Sequence, residues 1–303
     1  MKALSTTRLP LLRFISSVKS YYELSKPGIT YLALTTTFAG FALASVNTLD
    51  VFLLIHTLIG TALVAAGGGS LNMVIEYEID SRMNRTKLRP IPSGKISYLD
   101  GLLFGSFCSI IGIIYLAQFV NLLTSVLGAA TIAGYLFIYT PSKKITSLST
   151  IIGSFPGAVP PLMGWTAARN ELSLEAWTLF AILFFWQIPH FLSIAWMYRK
   201  DYERAGFPFL PVVEPNGKST SQQILFHCIV LIPISVLPTI FQLTGKIYFF
   251  GAILIGLGFL TYGILLVKEK SNTNAKRLLL ASIFYFPLLI ALMMFDKILL
   301  LLS

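Results

Sequence analysis

Asn72, Glu76 and Asp80 stand four residues apart at the end of an apolar stretch, Gly67-Gly68-Gly69-Ser70-Leu71-Asn72-Met73-Val74-Ile75-Glu76-Tyr77-Glu78-Ile79-Asp80. At about 3.6 residues per turn, that spacing predicts one helix face carrying an amide and two carboxylates, with Glu78 turned away. Such an oxygen column suits Mg²⁺, which takes one or two protein carboxylates and completes its shell with water and substrate phosphate. The partial negative charge at a helix C-terminus adds to the attraction. Arg82, Arg85, Lys87 and Arg89 follow at once. Guanidinium forks match phosphate oxygens, so acids for a metal followed by bases for phosphate suit a diphosphate. The end of a membrane-spanning helix also carries bases for topological reasons. Topology does not explain Asn72 and Glu76, because polar groups running back into an apolar span are costly and mark function by default. The three glycines before Asn72 have two readings, close helix packing or exposure of backbone to a ligand.

A second polar group lies in Trp186-Gln187-Ile188-Pro189-His190-Phe191. Gln187 and His190 fall inside an apolar stretch, where Pro189 frees backbone carbonyls and favours a kink. His190 reads equally as a bond to a neighbouring helix or as a ligand contact. Further on, Tyr198 and Tyr202 share a face, Arg199 lies between them, and Asp201 stands one position off. With Glu203 off the required spacing, this loop is a weaker metal site than the first. His56 and His227 are isolated and read as helix contacts. Cys108 and Cys228 read as reduced, buried thiols, since no CxxC or Cys/His metal spacing exists. Lys143 and Lys144 follow Pro141. Gly153, Pro156, Gly157, Pro160, Pro161 and Gly164 make one apolar stretch irregular, as in helices that break around a cavity or pack closely.

The elements that must hold these residues are membrane helices. The 303 residues are 55% hydrophobic and 12% charged, half the charge of an average soluble domain at about 25%. Spans of roughly 20 apolar residues lie near 28–47, 51–75, 99–118, 121–140, 148–167, 175–197, 222–242, 247–267 and 278–300. The expected fold is therefore all-α, a polytopic bundle of nine transmembrane helices. If the N-terminus and the loops after every second span share one side, that side holds 20 of the 23 Lys and Arg residues. The other side keeps only Arg169, Lys246 and Lys297. The bias in basic residues places the N-terminus in the cytoplasm and the C-terminus outside, in a bacterial inner membrane rather than an organellar one. Residues 1–22, with Lys2, Arg8, Arg13 and Lys19 and no acid, read as a basic cytoplasmic tail with an interfacial amphipathic element. The alternative reading is an organellar presequence. Residues 23–303 read as a single domain. The two longest loops, near 78–98 and 198–221, fall on the basic side four spans apart, which hints at a four-helix pseudo-repeat. The net charge of +10 is spread over loops as topology requires, which argues against a nucleic-acid partner.

Asn72-x-x-x-Glu76-x-x-x-Asp80 followed by Met83-Asn84-Arg85-Thr86-x-x-Arg89-Pro90 resembles the first signature of the UbiA superfamily of intramembrane prenyltransferases. Five further stretches are similar to the branch of that family that farnesylates haem. They are Lys26-Pro27-Gly28, Tyr139-Thr140-Pro141 with Lys143, the run from Gly157 to Trp165, Trp186 to Phe191, and Asp201-Tyr202-x-x-Ala205-Gly206-x-Pro208-x-Leu210-Pro211. The resemblance covers about residues 20–300. It implies a nine-helix bundle around a central cavity capped by the two long loops, in a lipid bilayer. It implies farnesyl diphosphate as donor, haem b as acceptor and Mg²⁺ as cofactor. The metal set it implies is Asn72, Glu76 and Asp80 with Asp201, and Arg85 joins them in catalysis. The substrate contacts it implies are Lys26, Arg82, Lys87, Arg89, Lys143, His190, Tyr198, Arg199 and Tyr202. A haem A synthase or a terminal-oxidase assembly would take the product onward. The chain departs from the wider superfamily at Met73 and Glu76, where aspartates are usual, and in keeping one acid, Asp201, in the second signature. One or two Mg²⁺ ions are therefore both open. Two other readings stand beside this one: a related prenyltransferase with a quinone or chlorin acceptor, and a transporter of an anionic substrate.

Overall fold

The computed structural model describes residues 8–45 and 48–302. The apolar stretches fold as helices because a chain in hydrocarbon must satisfy its backbone within itself. Their ends are set by local chemistry. Asp50 accepts the Leu53 N–H at 2.9 Å, Ser97 that of Asp100 at 3.0 Å and Asn121 that of Thr124 at 2.8 Å, each side chain satisfying an orphan donor of a first turn.

In chain order the helices are α1 (Arg8–Leu24), α2 (Pro27–Ala44), α3 (Val51–Ile75), α4 (Tyr77–Arg82), α5 (Tyr98–Phe119) and α6 (Leu122–Ala133). α6 continues through a π-helical turn, Gly134–Tyr139, into α7 (Thr140–Ser142). Then come α8 (Ser149–Gly157), α9 (Pro160–Arg169), α10 (Leu174–Met197), α11 (Arg199–Arg204), α12 (Leu210–Val213), α13 (Lys218–Ile240), α14 (Lys246–Lys268) and α15 (Asn272–Leu302). Eight of these, counting α6 and α7 with the π turn as one, are long and apolar enough to cross a membrane. The ninth pass is made in two halves, α8 and α9, which part at Ala158 and Val159. The chain thus makes nine passes among the described residues. The irregular fifth stretch is the broken one. α10, by contrast, runs unbroken through Pro189.

Of the basic N-terminal tail, Lys2 and the rest of residues 1–7 lie outside the described residues. From Arg8 the tail is helix α1, whose last residue Leu24 is buried with Met73, Val74, Ile91 and Ile96. That packing joins the tail to the end of α3 and to the loop after it. At the opposite end of the bundle, two of the three basic residues expected there cap another helix. Arg169 Nε donates to the Ala44 carbonyl at 2.6 Å, and Lys297 Nζ donates to those of Leu43 and, at 2.8 Å, Ser45. The orphan carbonyls at the end of α2 are met by cations from α9 and α15.

Two long helices end alike. α3 stops at Ile75, Glu76 takes φ −98° and ψ 6°, and the six-residue α4 follows. α10 stops at Met197, Tyr198 takes φ −104° and ψ 18°, and the six-residue α11 follows. A matching break thus precedes each long loop.

Candidate active site

Asn72 on α3, Glu76 at the break and Asp80 on α4 remain on one line. The bonds Glu76 N–H to Asn72 O at 3.0 Å and Asp80 N–H to Glu76 O at 2.8 Å carry the i, i+4 pattern across the break. All three side chains are buried; Glu76 is 4% exposed and Asp80 1%. Each meets a cation. Asn72 Oδ1 accepts from Lys26 Nζ, Glu76 Oε1 from Lys143 Nζ at 2.7 Å, and Asp80 Oδ2 from an Arg89 guanidinium nitrogen at 2.7 Å. The other end of the Asn72 amide donates to Thr140 Oγ1 at 2.8 Å, which fixes its carbonyl oxygen toward Lys26.

Burial opposes charge throughout this cluster. It would raise Glu76, but Lys143, Lys26 and Arg89 outweigh it and hold the carboxyl below its ordinary value. Burial likewise works against the Lys143 charge, and the Tyr139, Glu76 and Tyr135 oxygens around it prevail, so that its pKa is raised. Lys26 meets the opposite balance. Burial, together with the nearby positive charge of Arg89, pulls it down to about 7.

The three pairs stand at one end of a cavity of about 390 Å³, where Arg85 also lines the wall. The rings of Tyr135, Tyr139 and Tyr202 come next, with the Lys143 ammonium 4.5 Å from the Tyr139 ring centre. Beyond them the wall is apolar, made by Leu32, Val64, Ile132, Pro156 and Phe191 among others. Gly68 and Gly69 line this wall, whereas an added Cβ at Gly67 would meet Ser109 Oγ at 2.3 Å. Gly67 thus serves close packing, and Gly68 and Gly69 leave their backbone facing the cavity.

Arg85 is held by the second loop. Its guanidinium donates to Tyr202 Oη at 2.9 Å and lies over the rings of Tyr198 and Tyr202 at 5.1 and 5.4 Å. Asp201 sits behind it, accepting the Arg85 backbone N–H at 3.3 Å and a guanidinium N–H of Arg204. The structure therefore brings Asn72, Glu76, Asp80, Lys26, Lys143, Arg85, Arg89 and Tyr202 to one cavity. Asp201 and Tyr198 support Arg85 instead of lining that cavity. Arg82 and Lys87 are exposed, and Lys87 Nζ bonds Asn84 Oδ1 at 3.1 Å. Arg199 ties the end of α10 to α15 through Asn272 Oδ1 at 2.8 Å. His190 faces α15, with Nδ1 2.8 Å from Ser282 Oγ and its ring stacked on Trp186. His56 bonds Tyr115 on α5, and His227, bonded to the Gln223 carbonyl of its own helix, packs its ring 5.6 Å from that of Phe185 on α10.

Among the described residues no three His, Cys, Asp or Glu side chains converge on one point. A metal here would have two carboxylates and one amide oxygen. That hard, all-oxygen and incomplete set fits Mg²⁺, which draws the rest of its shell from water and phosphate. Tyr135 and Tyr139 were not anticipated as site residues. The π turn that carries them leaves no mark in the composition, although Tyr139 stands in the Tyr139-Thr140-Pro141 stretch noted above.

A polytopic helix bundle whose cavity is charged at one end and apolar along its length is the architecture of an intramembrane enzyme acting on a substrate with an anionic head and a hydrocarbon tail. Residues 33–290 match the UbiA prenyltransferase family, and the chain belongs to it. It is 45% identical to the protoheme IX farnesyltransferase of Solibacter usitatus (strain Ellin6076), over 92% of this chain and 99% of that one. It is 44% identical to the protein of the same name from Salinibacter ruber (strain DSM 13855 / M31), over 91% and 98%. Among solved structures, one from work on digeranylgeranylglyceryl phosphate synthase in membranes superposes with a TM-score of 0.78 at 19% identity, covering 93% of this chain and 99% of that one. A UbiA homologue from Archaeoglobus fulgidus bound to GPP and Mg²⁺ superposes with a TM-score of 0.63 at 14% identity, covering 90% and 99%. These two share the fold. The chain is a prenyltransferase.

Proposed function

We propose that the protein transfers the farnesyl group of farnesyl diphosphate to a vinyl group of haem b, with addition of water, giving haem O and diphosphate. The observation that carries this reading is the cavity itself, with three buried acceptor–cation pairs at its mouth and an apolar bore behind them. The acceptor is supported by the relatives named for haem farnesylation, which match this chain over nearly their whole length.

Mg²⁺, when bound, would be held by Glu76 and Asp80 with the Asn72 amide oxygen and would neutralise charge growing on the departing diphosphate. Lys143, Arg89 and Arg85 line the same end and supply fixed positive charge to the phosphate oxygens, with Lys26 beside them as a hydrogen-bond donor. The prenyl C1 then becomes an allylic cation under the rings of Tyr135, Tyr139 and Tyr202, whose faces attract positive charge. The vinyl carbon of haem attacks C1, water adds to the resulting cation, and a proton leaves. The apolar wall keeps bulk water from the allylic cation before the vinyl group reaches it.

The reaction end lies on the side carrying most of the basic loops. By the topology rule that side is the cytoplasm, with the N-terminus there, the C-terminus outside and a bacterial inner membrane around the bundle. The product chemistry calls for a recipient that accepts a farnesylated haem, a haem A synthase or a terminal-oxidase assembly. The deciding experiment uses membranes from a host without its own haem O synthase, given haem b and farnesyl diphosphate with Mg²⁺ or EDTA. A haem heavier by farnesyl plus water, absent with EDTA, is expected. Farnesyl diphosphate consumed without a new haem would move the acceptor. Membranes that consume none, from well-folded protein, would favour transport of an anionic substrate.

A further inference from the structure

On every long helix that lines the cavity, the lining stops at a definite residue. Counting inward from the cation end, the last is Thr36 on α2, Thr61 on α3, Thr131 on α6, Met163 on α9 and Gln187 on α10. From Lys26 to Thr36, Asn72 to Thr61 and Lys143 to Thr131 the separations are similar, about 15–18 Å at roughly 1.5 Å per residue. Thr36, Thr61 and Thr131 therefore lie at one depth, and Met163 and Gln187, the innermost lining residues of α9 and α10, complete the floor. Beneath it α2 and α9 touch backbone to backbone, and the space left between α2, α10 and α15 is an apolar crevice of only about 20 Å³ beside Thr36, Gly40 and Pro161. An added Cβ at Gly40 would lie 2.1 Å from the Pro161 carbonyl oxygen, and one at Gly164 would lie 1.9 Å from that of Thr37. Thr37 Oγ1 also donates to the Pro160 carbonyl at 3.0 Å. Contacts of this kind in a close-packed interior do not swing aside as a side chain does. The floor is also polar. Thr61 Oγ1 is buried without a hydrogen-bond partner. The Gln187 amide is anchored by its Nε2 to the Leu183 carbonyl at 3.0 Å, and among the described residues its Oε1 accepts no bond. A hydrocarbon chain gains by lying along the apolar wall and loses by covering unpaired polar groups.

We propose that this floor fixes the length of the isoprenoid donor. Thr61, Met163 and Gln187 stop a chain of three isoprene units whose diphosphate is held at Lys26, Lys143 and Arg89, and they exclude a fourth unit. The inference rests on the prenyl diphosphate reading above. Thr61 and Gln187 are rigid parts of the stop, and Met163, with its flexible thioether, is the adjustable one.

The test is the binding, with Mg²⁺, of non-hydrolysable geranyl, farnesyl and geranylgeranyl thiolodiphosphates to the purified full-length protein, which needs no acceptor. The farnesyl analogue should bind at least tenfold more tightly than the geranylgeranyl one. Met163→Ala should bring the two within about threefold, and Thr61→Leu should shift the preference to geranyl. Haem turnover with the three natural diphosphates should follow the same order. Thr61→Leu carries the test alone if Met163→Ala does not fold. Equal affinity of the unaltered protein for the farnesyl and geranylgeranyl analogues, as when the chain leaves sideways into lipid, would overturn the floor and spare prenyl diphosphate binding. So would preferences unchanged in the folded variants. Binding of none of the three would overturn the donor reading and the floor with it.

Discussion

One oxygen each of Asn72, Glu76 and Asp80 already meets a cation, and that fixes what single substitutions do. Lys143 and Glu76 are both nearly buried, with side chains 10% and 6% exposed. Removing one member of such a pair strands the other charge, at a cost of about 3–5 kcal/mol. Lys143→Met should therefore lower the melting temperature sharply in detergent. Adding Glu76→Gln should restore most of the stability and none of the activity, which separates folding from catalysis. Asp80 differs, because its partner Arg89 is 28% exposed and can turn to water. Asp80→Ala should leave a folded protein and reduce kcat by roughly 10²–10³-fold or more, the scale of losing a preplaced electrostatic group. Near-normal turnover would remove Asp80 from the reaction. At this scale the acids were legible because a spacing of four is a helix face. Lys26 was legible only through resemblance, since a lone lysine before Pro27 has no spacing of its own. The place of Asp201 behind Arg85 was not legible at all. Which way a loop carboxylate points depends on Arg204 and on the Arg85 backbone, and neither contact has a sequence period.

Helix contacts decide how the cavity is walled, and glycines decide the helix contacts. α2 and α9 approach until Gly164 faces the Thr37 carbonyl and the Phe41 N–H, with no side chain between. Gly164→Ala forces backbone apart, and overpacking of this kind costs about 1–3 kcal/mol. The variant should unfold at lower temperature and leak prenyl-length discrimination, since the α2–α9 seam lies beneath the floor. Gly258 on α14 has nothing within 4 Å of an added Cβ, so Gly258→Ala should be neutral or slightly stabilising through helix propensity. Equal effects of the two substitutions would show that the close approach carries no stability. Six of the nine apolar stretches were legible to within two residues, because a bilayer demands about 20 apolar residues per pass, whereas α13 and α15 begin four and six residues earlier than expected, at Lys218 and Asn272, in polar first turns that hydropathy does not mark. The break in the fifth pass was legible from its prolines and glycines. The paired breaks at Glu76 and Tyr198 were not, since neither carries a proline or glycine and both keep the i, i+4 hydrogen bond. They change only where the following short helix points.

The whole molecule is polarised, with its cations, its long loops and its cavity mouth at one end and helix-capping charges at the other. The proposed orientation rests on that polarity, because Lys and Arg in short loops are retained on the cytoplasmic side. Cys108 and Cys228 are both buried, so a membrane-impermeant maleimide should ignore the unaltered protein. That makes the chain its own blank for labelling single introduced cysteines. Lys95, in the loop after α4, and Glu171, between α9 and α10, are both exposed. Lys95→Cys should react in inverted vesicles and be silent in intact spheroplasts, and Glu171→Cys should show the reverse. Labelling of both from one side would mean that the bundle does not make an odd number of passes between these loops. Reversed labelling would place the cavity mouth outside, where a cytoplasmic supply of prenyl diphosphate could not reach Lys26, Lys143 and Arg89. The orientation, the basic loops and the site thus stand or fall on the same pair of measurements.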